Sequence, residues 1–282
     1  MLAKAMRVRL VVIGLGEVGK ALYEIARDTK VFDVYGFDVD HSKTIDSLED
    51  IPKPIDYLHI AIPYSTNFVS SIVEYIDIFR PRATIIHSTV APGTTRKIHE
   101  LTKTVVGYSP IRGRHPYLKK HLLFWSKWIS VLPSDAIEEV KRHLESLGFR
   151  VRIYRGNPES LELAKLWETV YRAIMIAAWQ EIHRIAMRFN ADIVTIAEFV
   201  AEVHQVLRDR PVYYPDHIGG HCLIPNTKVL NTVYPSKLFE FVLESNNKRA
   251  NEIKNPKIIE DIEKLKKIYF RYTNSSYFVD IE

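Results

Sequence analysis

Apolar residues come in two rhythms along this chain, and the change from one to the other divides it. Over the first 150 residues, short β-branched runs alternate with amphipathic stretches. Val8–Ile13, Val34–Phe37, Tyr57–Ile62, Ala83–Ser88, Trp128–Leu132 and Val151–Tyr154 read as strands, buried on both faces where the run is continuous. Helices are expected after Gly19, from about 66 to 79, and from 136 to 147. Such β-α-β alternation predicts an α/β fold with a doubly wound, Rossmann-type sheet. At Asn157-Pro158 the rhythm changes. Asparagine as N-cap with proline at the first helical position starts a helix whose apolar residues keep helical spacing to Phe189, without an internal glycine or proline. Asn190 suits the left-handed end of that helix, and Asp192 a cap on another running to about Leu207. Helical patterns follow at 236–253 and 257–271. The expected organisation is a Rossmann domain over 1–156, an α-helical domain with a long central helix over 157–255, and a C-terminal helix and tail over 256–282.

Chemistry enters with the first turn. Gly14-x-Gly16-x-x-Gly19 lies between a strand and a helix, the setting in which glycines allow a tight turn, close approach of a pyrophosphate and close helix–strand packing. Asp38 ends the second strand, where a carboxylate accepts from a ribose diol and repels a 2′-phosphate. The expected cofactor is therefore NAD, held by Gly14, Gly16, Glu17, Val18, Gly19 and Asp38. Pro63, Ser88 and Thr89 follow the next strands at the carboxyl edge of the sheet. Ser88, Thr89, Thr94 and Thr95 suit ligand contact or helix capping alike. The stretch 108–127 reads as a basic loop with Arg112, Arg114, Lys119, Lys120, Lys127, His115 and His121; it suits either a phosphate or carboxylate ligand or plain solvation.

Composition narrows the class. The net charge of +5 over 282 residues permits an anionic small-molecule partner and gives no argument for nucleic acid. No apolar run is long enough for a membrane span. A single cysteine excludes an internal disulfide and a cysteine-rich metal site, and fits a reducing cytoplasm. No metal is expected.

That cysteine, Cys222, closes Gly219-Gly220-His221-Cys222. A thiol in a glycine turn is either a buried structural residue or a nucleophile beside a basic group. On the long helix Lys165, Thr169 and Arg172 share one face. Taken in order, the glycine turn, Ser88-Thr-Val-Ala-Pro-Gly-Thr-Thr95, Leu163-Ala-Lys-Leu-Trp-Glu-Thr-Val-Tyr-Arg-Ala173 and Gly219-Gly-His-Cys222 resemble the UDP-glucose/GDP-mannose dehydrogenase family over about 7–255. The resemblance implies a homodimer through the long helix and NAD-dependent oxidation of a sugar-nucleotide alcohol to a carboxylate. It implies Cys222 as the nucleophile of a thiohemiacetal and thioester, and Lys165 as the cation on the oxyanion. Thr169 and Asn226 fall at the family's further catalytic positions. Arg112, Arg114, Arg172, Gly219, Gly220 and His221 are the candidates for an anionic substrate.

The chain departs from the family pattern in places. Ile111 replaces a glutamate, Thr169 an asparagine and Asn226 an aspartate, the approach to the cysteine is Pro215-Asp-His217, and the family's third, nucleotide-gripping domain has no counterpart after residue 255. Two alternatives therefore stand beside the first reading: a two-electron β-hydroxyacid-type dehydrogenase using the long-helix lysine, and a non-catalytic NAD-binding protein.

Overall fold

In the computed structural model, which describes residues 7–114 and 116–273, the chain divides after Lys165 into two compact units. The first carries a seven-stranded sheet in the order β2-β1-β3-β4-β5-β6-β7. Its strands are β1 (Val8–Ile13), β2 (Phe32–Phe37), β3 (Tyr57–Ile60), β4 (Ala83–Ile86), β5 (Val105–Tyr108), β6 (Lys127–Leu132) and β7 (Val151–Ile153). β1 to β5 are parallel, with Val12 level with Gly36 and His59. β6 runs antiparallel to β5, pairing Tyr108 with Ser130. The order reverses at β1, which leaves a crevice at the carboxyl ends of β1 and β3, the place where such sheets take ligands.

Alternate residues of the strands feed two apolar layers. Leu10, Val12, Tyr57 and Ile85 join the layer that includes α1 (Glu17–Asp28), α4 (Leu118–Phe124) and α5 (Ile137–Ser146); Val11, Ile13, Leu58 and Ile86 join that of α2 (Phe68–Phe79) and α3 (Thr94–Thr102). This period of two, buried on both sides, is what the β-branched runs encode.

The pattern did not give β5, whose four residues include a glycine, or the reversal at β6. The expected basic loop over 108–127 is also corrected. Residues Leu118–Phe124 form α4, Lys119 donates to Asp28 at 2.7 Å, and His121 and Lys127 are buried, the latter opening β6. Helical spacing and the end of an apolar strand absorb these basic residues into the fold. His115 and the expected tail from Asn274 lie outside the described residues.

α6 (Pro158–Arg188) begins in the first unit and continues into the second. The rest of the second unit comprises α7 (Ile193–Leu207), α8 (Leu223–Val233), α9 (Lys237–Glu252) and α10 (Pro256–Arg271). Asn190 takes φ 50°, and Asp192 caps α7 by accepting from the N–H groups of Val194 and Thr195. α10 sends Leu265 and Ile268 into the core shared with Trp179, Ala197 and Ala201. No helix among the described residues is long and apolar enough to cross a membrane.

Candidate active site

The glycine turn is built by contact as much as by conformation. Gly14 takes φ 88°, and a Cβ there would stand 2.8 Å from the Ala61 carbonyl oxygen. A Cβ on Gly19 would lie 1.6 Å from the Gly14 oxygen, so the first turn of α1 sits directly against the end of β1. Gly16 differs: nothing lies within 4 Å of its Cβ position, and it is the N-cap of α1 without a side-chain cap. An open, uncapped helix N-terminus with exposed Gly16 and Glu17 and half-buried Val18 fits a dinucleotide pyrophosphate in both shape and polarity. Asp38 Oδ2 accepts from Leu15 N–H at 2.6 Å and Oδ1 from Asp40 N–H at 2.9 Å. The carboxylate thus stands at the glycine turn, and its remaining lone pairs suit a ribose diol.

At the next two strand ends, Pro63 is exposed and Thr89 half-buried. Ser88 Oγ donates to the Ile62 carbonyl at 2.6 Å and ties the ends of β3 and β4 together. Thr94 and Thr95 resolve toward structure. Thr94 Oγ1 donates to Ala91 O, and Thr95 Oγ1 donates to Glu162 at 2.6 Å. Glu162, wholly buried on α6, also accepts from Gly93 and Thr95 N–H, so a carboxylate caps α3 from a distant element. Burial raises its pKa, and the three donors oppose the rise. No local pattern signals it, because a single glutamate on a long helix reads as surface.

Among the proposed anion-binding residues, Arg112 Nη2 donates to the Ser126 carbonyl at 2.6 Å and its guanidinium lies 4.8 Å from the centre of the Trp125 ring. Arg114 is exposed, and its backbone N–H donates to His121 Nδ1. Ile111, in place of the family's glutamate, is buried among Leu118, Leu122 and Ile129 in the first unit's core. Lys165 is half-buried on α6 in the same unit.

In the second unit, Gly219, Gly220, His221 and Cys222 form an exposed turn entering α8, with Gly220 at φ 79° and no neighbour within 4 Å of a Cβ at either glycine. Cys222 is exposed at the N-cap position, not buried in its turn. Two residues that the sequence did not single out anchor the approach. Asn246 accepts from Ile218 N–H at 2.7 Å and donates to its carbonyl at 3.1 Å, and Gln180 Nε2 donates to Asp216 O at 2.7 Å. Asn246→Leu would leave both buried Ile218 groups unpaired, an expected loss of about 3 kcal/mol in urea unfolding, with faster proteolysis at Gly219–Gly220.

Thr169 and Asn226 are brought together. Asn226 Nδ2 donates to Thr169 Oγ1 at 2.8 Å, and that hydroxyl donates to Leu166 O at 2.9 Å. Both residues are buried, so two of the departures from the family pattern satisfy each other. The Arg172 Nε is buried with no hydrogen-bond partner among the described residues. No cluster of three or more His, Cys, Asp or Glu side chains suited to a metal occurs among the described residues.

A glycine-turned helix on a mainly parallel sheet, followed by a long helix and a helical unit, is the architecture of Rossmann-type dehydrogenases. Over residues 159–252 the chain matches the UDP-glucose/GDP-mannose dehydrogenase family, central domain. A UDP-N-acetyl-D-mannosamine dehydrogenase of Pyrococcus horikoshii is 25% identical over 173 residues, which are 57% of this chain and 40% of the relative. The chain thus spans less than half the length of that curated relative. The solved structure of a UDP-D-ManNAc dehydrogenase from the same organism superposes with TM-score 0.73 at 20% identity, covering 86% of this chain and 69% of the other. A 3-hydroxyisobutyrate dehydrogenase of Mycobacterium tuberculosis gives TM-score 0.64 at 14% identity, covering 93% and 99%. At these identities the two structures establish the fold.

Proposed function

We propose that the protein is an NAD-dependent oxidoreductase that oxidises the CH–OH group of a nucleotide sugar or a related anionic alcohol. The observation that carries this reading is the open glycine turn, with Gly16 unobstructed, the N-terminus of α1 uncapped and Asp38 beside it. Gly14, Gly16, Glu17, Val18, Gly19, Asp38, Pro63, Ser88 and Thr89 are the proposed cofactor contacts. NAD, when bound, supplies the hydride acceptor. Arg112, Arg114, Arg172, Gly219, Gly220 and His221 are the proposed contacts to the anionic substrate.

In this reading Lys165 takes the alcohol proton and then stabilises the oxyanion. The Cys222 thiolate adds to the aldehyde carbon as a thiohemiacetal, loss of a second hydride gives a thioester, and water releases the acid and restores the thiol. Thr169 and Asn226 orient this group through their shared hydrogen bond. The exposed thiol at the start of α8 supports the assignment, because an anion formed there meets the positive end of the helix. Exposed Leu163, Trp167 and Tyr171, one turn apart along α6, support a homodimer through the long helix. A reducing cytoplasm suits a free, exposed thiol.

A specific observation favours a second reading. Ile111 is committed to the core and Asn226 to Thr169, so neither offers the carboxylate that would activate water. The protein would then be a two-electron dehydrogenase in which Cys222 takes no covalent part. NADH counted per product acid, with UDP-N-acetyl-D-mannosamine and with a simple β-hydroxyacid, separates the two. Two NADH per acid from the nucleotide sugar, abolished by Cys222→Ala, supports the first reading. One NADH per turnover with an active Cys222→Ala variant replaces it by the second, and NAD binding without turnover on a substrate panel overturns both.

A further inference from the structure

The segment leading to the thiol turn is held by side chains from three helices of the second unit. Gln180 on α6 donates to the Asp216 carbonyl at 2.7 Å, and Asn246 on α9 clamps both backbone groups of Ile218. α10 takes part as well. Lys266 Nζ lies 3.5 Å from Asp216 Oδ2 and 5.5 Å from the centre of the Tyr214 ring. Tyr269 packs on Tyr213 and Tyr214, with ring centres 5.4 Å apart in each pair. Asp216 and His217 belong to Pro215-Asp-His217, one of the departures from the family pattern, and α10 itself lies beyond residue 252, the last matched to the family.

A buried polar row makes a second connection from α10. Arg249, wholly buried on α9, donates through Nη2 to the Gln180 carbonyl at 2.9 Å, and its Nη1 lies 3.1 Å from His183 Nδ1. A guanidinium has no acceptor, so Nδ1 must accept, which puts the His183 proton on Nε2. That N–H donates to Asp261 Oδ2 of α10 at 3.2 Å. Burial holds His183 below its ordinary value against the pull of Asp261, which keeps the ring in that neutral tautomer. Gln180 is fixed at its other side-chain atom too, its Oε1 accepting from Ser245 Oγ at 2.7 Å. Asp261, His183, Arg249 and Gln180 are at most 4% exposed. A guanidinium and a carboxylate are costly to bury unless they are paired and hydrogen-bonded, and here the pairing runs from α10 to the backbone at Asp216.

The turn itself makes that anchorage matter. Between Ile218 and Cys222 stand Gly219, Gly220 and His221, all exposed, with no neighbour within 4 Å of a Cβ at either glycine. From Cys222 onward, α8 is held to α6 by the bond between Asn226 and Thr169. The place of the thiol is thus set by two fixed ends, and a glycine pair gives the chain wide freedom once either end is released. We propose that Asp261 and Lys266 of α10 are positioning residues for the Cys222 thiol. Asp261 acts through His183, Arg249 and Gln180, and Lys266 through Asp216, to fix the Ile218 end of the turn. This role rests on the reading of Cys222 as the nucleophile, because a reacting group displaced by about 1 Å can lose about a hundredfold in rate.

Cys222 is the single cysteine of the chain, so a nitroxide label on it reports on this turn alone. Asp261→Ala removes the acceptor of His183 Nε2–H, whereas Asp261→Asn keeps one. Lys266→Met removes the ion pair at a side chain 30% exposed, and Lys264→Met, at an exposed pair with Glu260, is the control. The label's rotational correlation time should fall about twofold or more in Asp261→Ala and Lys266→Met, and stay at the wild-type value in Asp261→Asn and Lys264→Met. Wild-type line shapes in both Asp261→Ala and Lys266→Met overturn the role of α10; if Asp261→Ala does not fold, Lys266→Met decides alone. An Asp261→Asn variant as mobile as Asp261→Ala overturns the route through His183. With a turned-over alcohol, kcat should fall about tenfold in Asp261→Ala while the Kd for NAD, bound by the first unit, is unchanged. A wild-type kcat in a variant with a loosened turn overturns the link to catalysis. If no alcohol is oxidised, or if Cys222→Ala is active, the nucleophile reading fails while the line shapes still decide the anchorage.

Discussion

Gly19→Ala is expected to leave the first unit unfolded or severely destabilised. The added Cβ would stand 1.6 Å from the Gly14 carbonyl oxygen and 2.8 Å from its carbon, both backbone atoms that no rotamer change can move. Relief requires α1 to lift from the end of β1, which takes Ala21, Leu22 and Ile25 out of contact with the sheet. Overpacking of this kind costs about 3 kcal/mol or more. Gly16→Ala is the matched control. Nothing lies within 4 Å of its Cβ and its φ is −64°, so thermal unfolding should show a loss of about 1 kcal/mol or less, the ordinary difference between glycine and alanine at an N-cap. NAD affinity, read by tryptophan quenching, should nonetheless fall about tenfold or more, because the methyl occupies the space over the helix N-terminus. A Gly16→Ala variant that binds NAD as tightly as the wild type would remove the observation on which the cofactor assignment stands.

The glycine turn was legible because each of its positions answers a separate steric demand, and those demands recur at fixed spacing in the chain. The same holds for Asn157-Pro158, Asn190 and Asp192, whose side chains act on their own neighbours in sequence. Illegible features share the opposite property. Glu162 caps a helix 67 residues away, Asn246 clamps a backbone 28 residues away, and His59 meets His143 across 84 residues. In a linear reading, Glu162 and Asn246 are polar residues on helical patterns. His59 and Lys127 sit in or beside strands, where an ordinary basic residue would be solvated. Only the closing of the sheet shows that both meet His87.

The departures at Ile111, Thr169 and Asn226 gain meaning from the same contacts. Ile111 fills apolar space among Leu118, Leu122 and Ile129, where a glutamate would meet no donor from those three side chains. The Thr169–Asn226 pair supplies a neutral donor and acceptor, each satisfied by the other, so an aspartate alone at 226 would face the oxygen of Thr169 and compel its hydroxyl to leave Leu166 O. The substitutions are thus mutually consistent within the folds of their own units.

Acid should unfold the first unit at a pH where ordinary carboxylates are still ionised. His59, His87 and His143 are held below the ordinary imidazole value of 6.5, His59 down to about 3, chiefly by burial. The groups facing them are Lys127 from β6, the Ser109 carbonyl, and the Tyr57 and Phe32 rings against His143; among the described residues no carboxylate hydrogen-bonds to any of the three imidazoles. The unfolded chain therefore binds protons at these sites that the folded chain refuses. Depressed folded values mean that the histidines' contribution to stability is complete above pH 6.5 and is lost progressively as pH falls toward 3. Each histidine contributes a slope of up to about 1.4 kcal/mol per pH unit, the three together about 4, against a typical total of about 5–15 kcal/mol. Urea midpoints should thus fall steeply from pH 6.5 downward, with unfolding in plain buffer near about pH 5. His143→Leu, which keeps the apolar contacts to Tyr57 and Phe32, should reduce the slope by about a third. Lys127 works with the same sign at higher pH, since the unfolded chain holds its proton up to 10.5 and the buried amine does not, so stability should go on rising above neutrality. A stability that is flat between pH 7 and 5 would mean that the imidazoles accept protons in the folded state, with water or a counter-ion reaching them in the core.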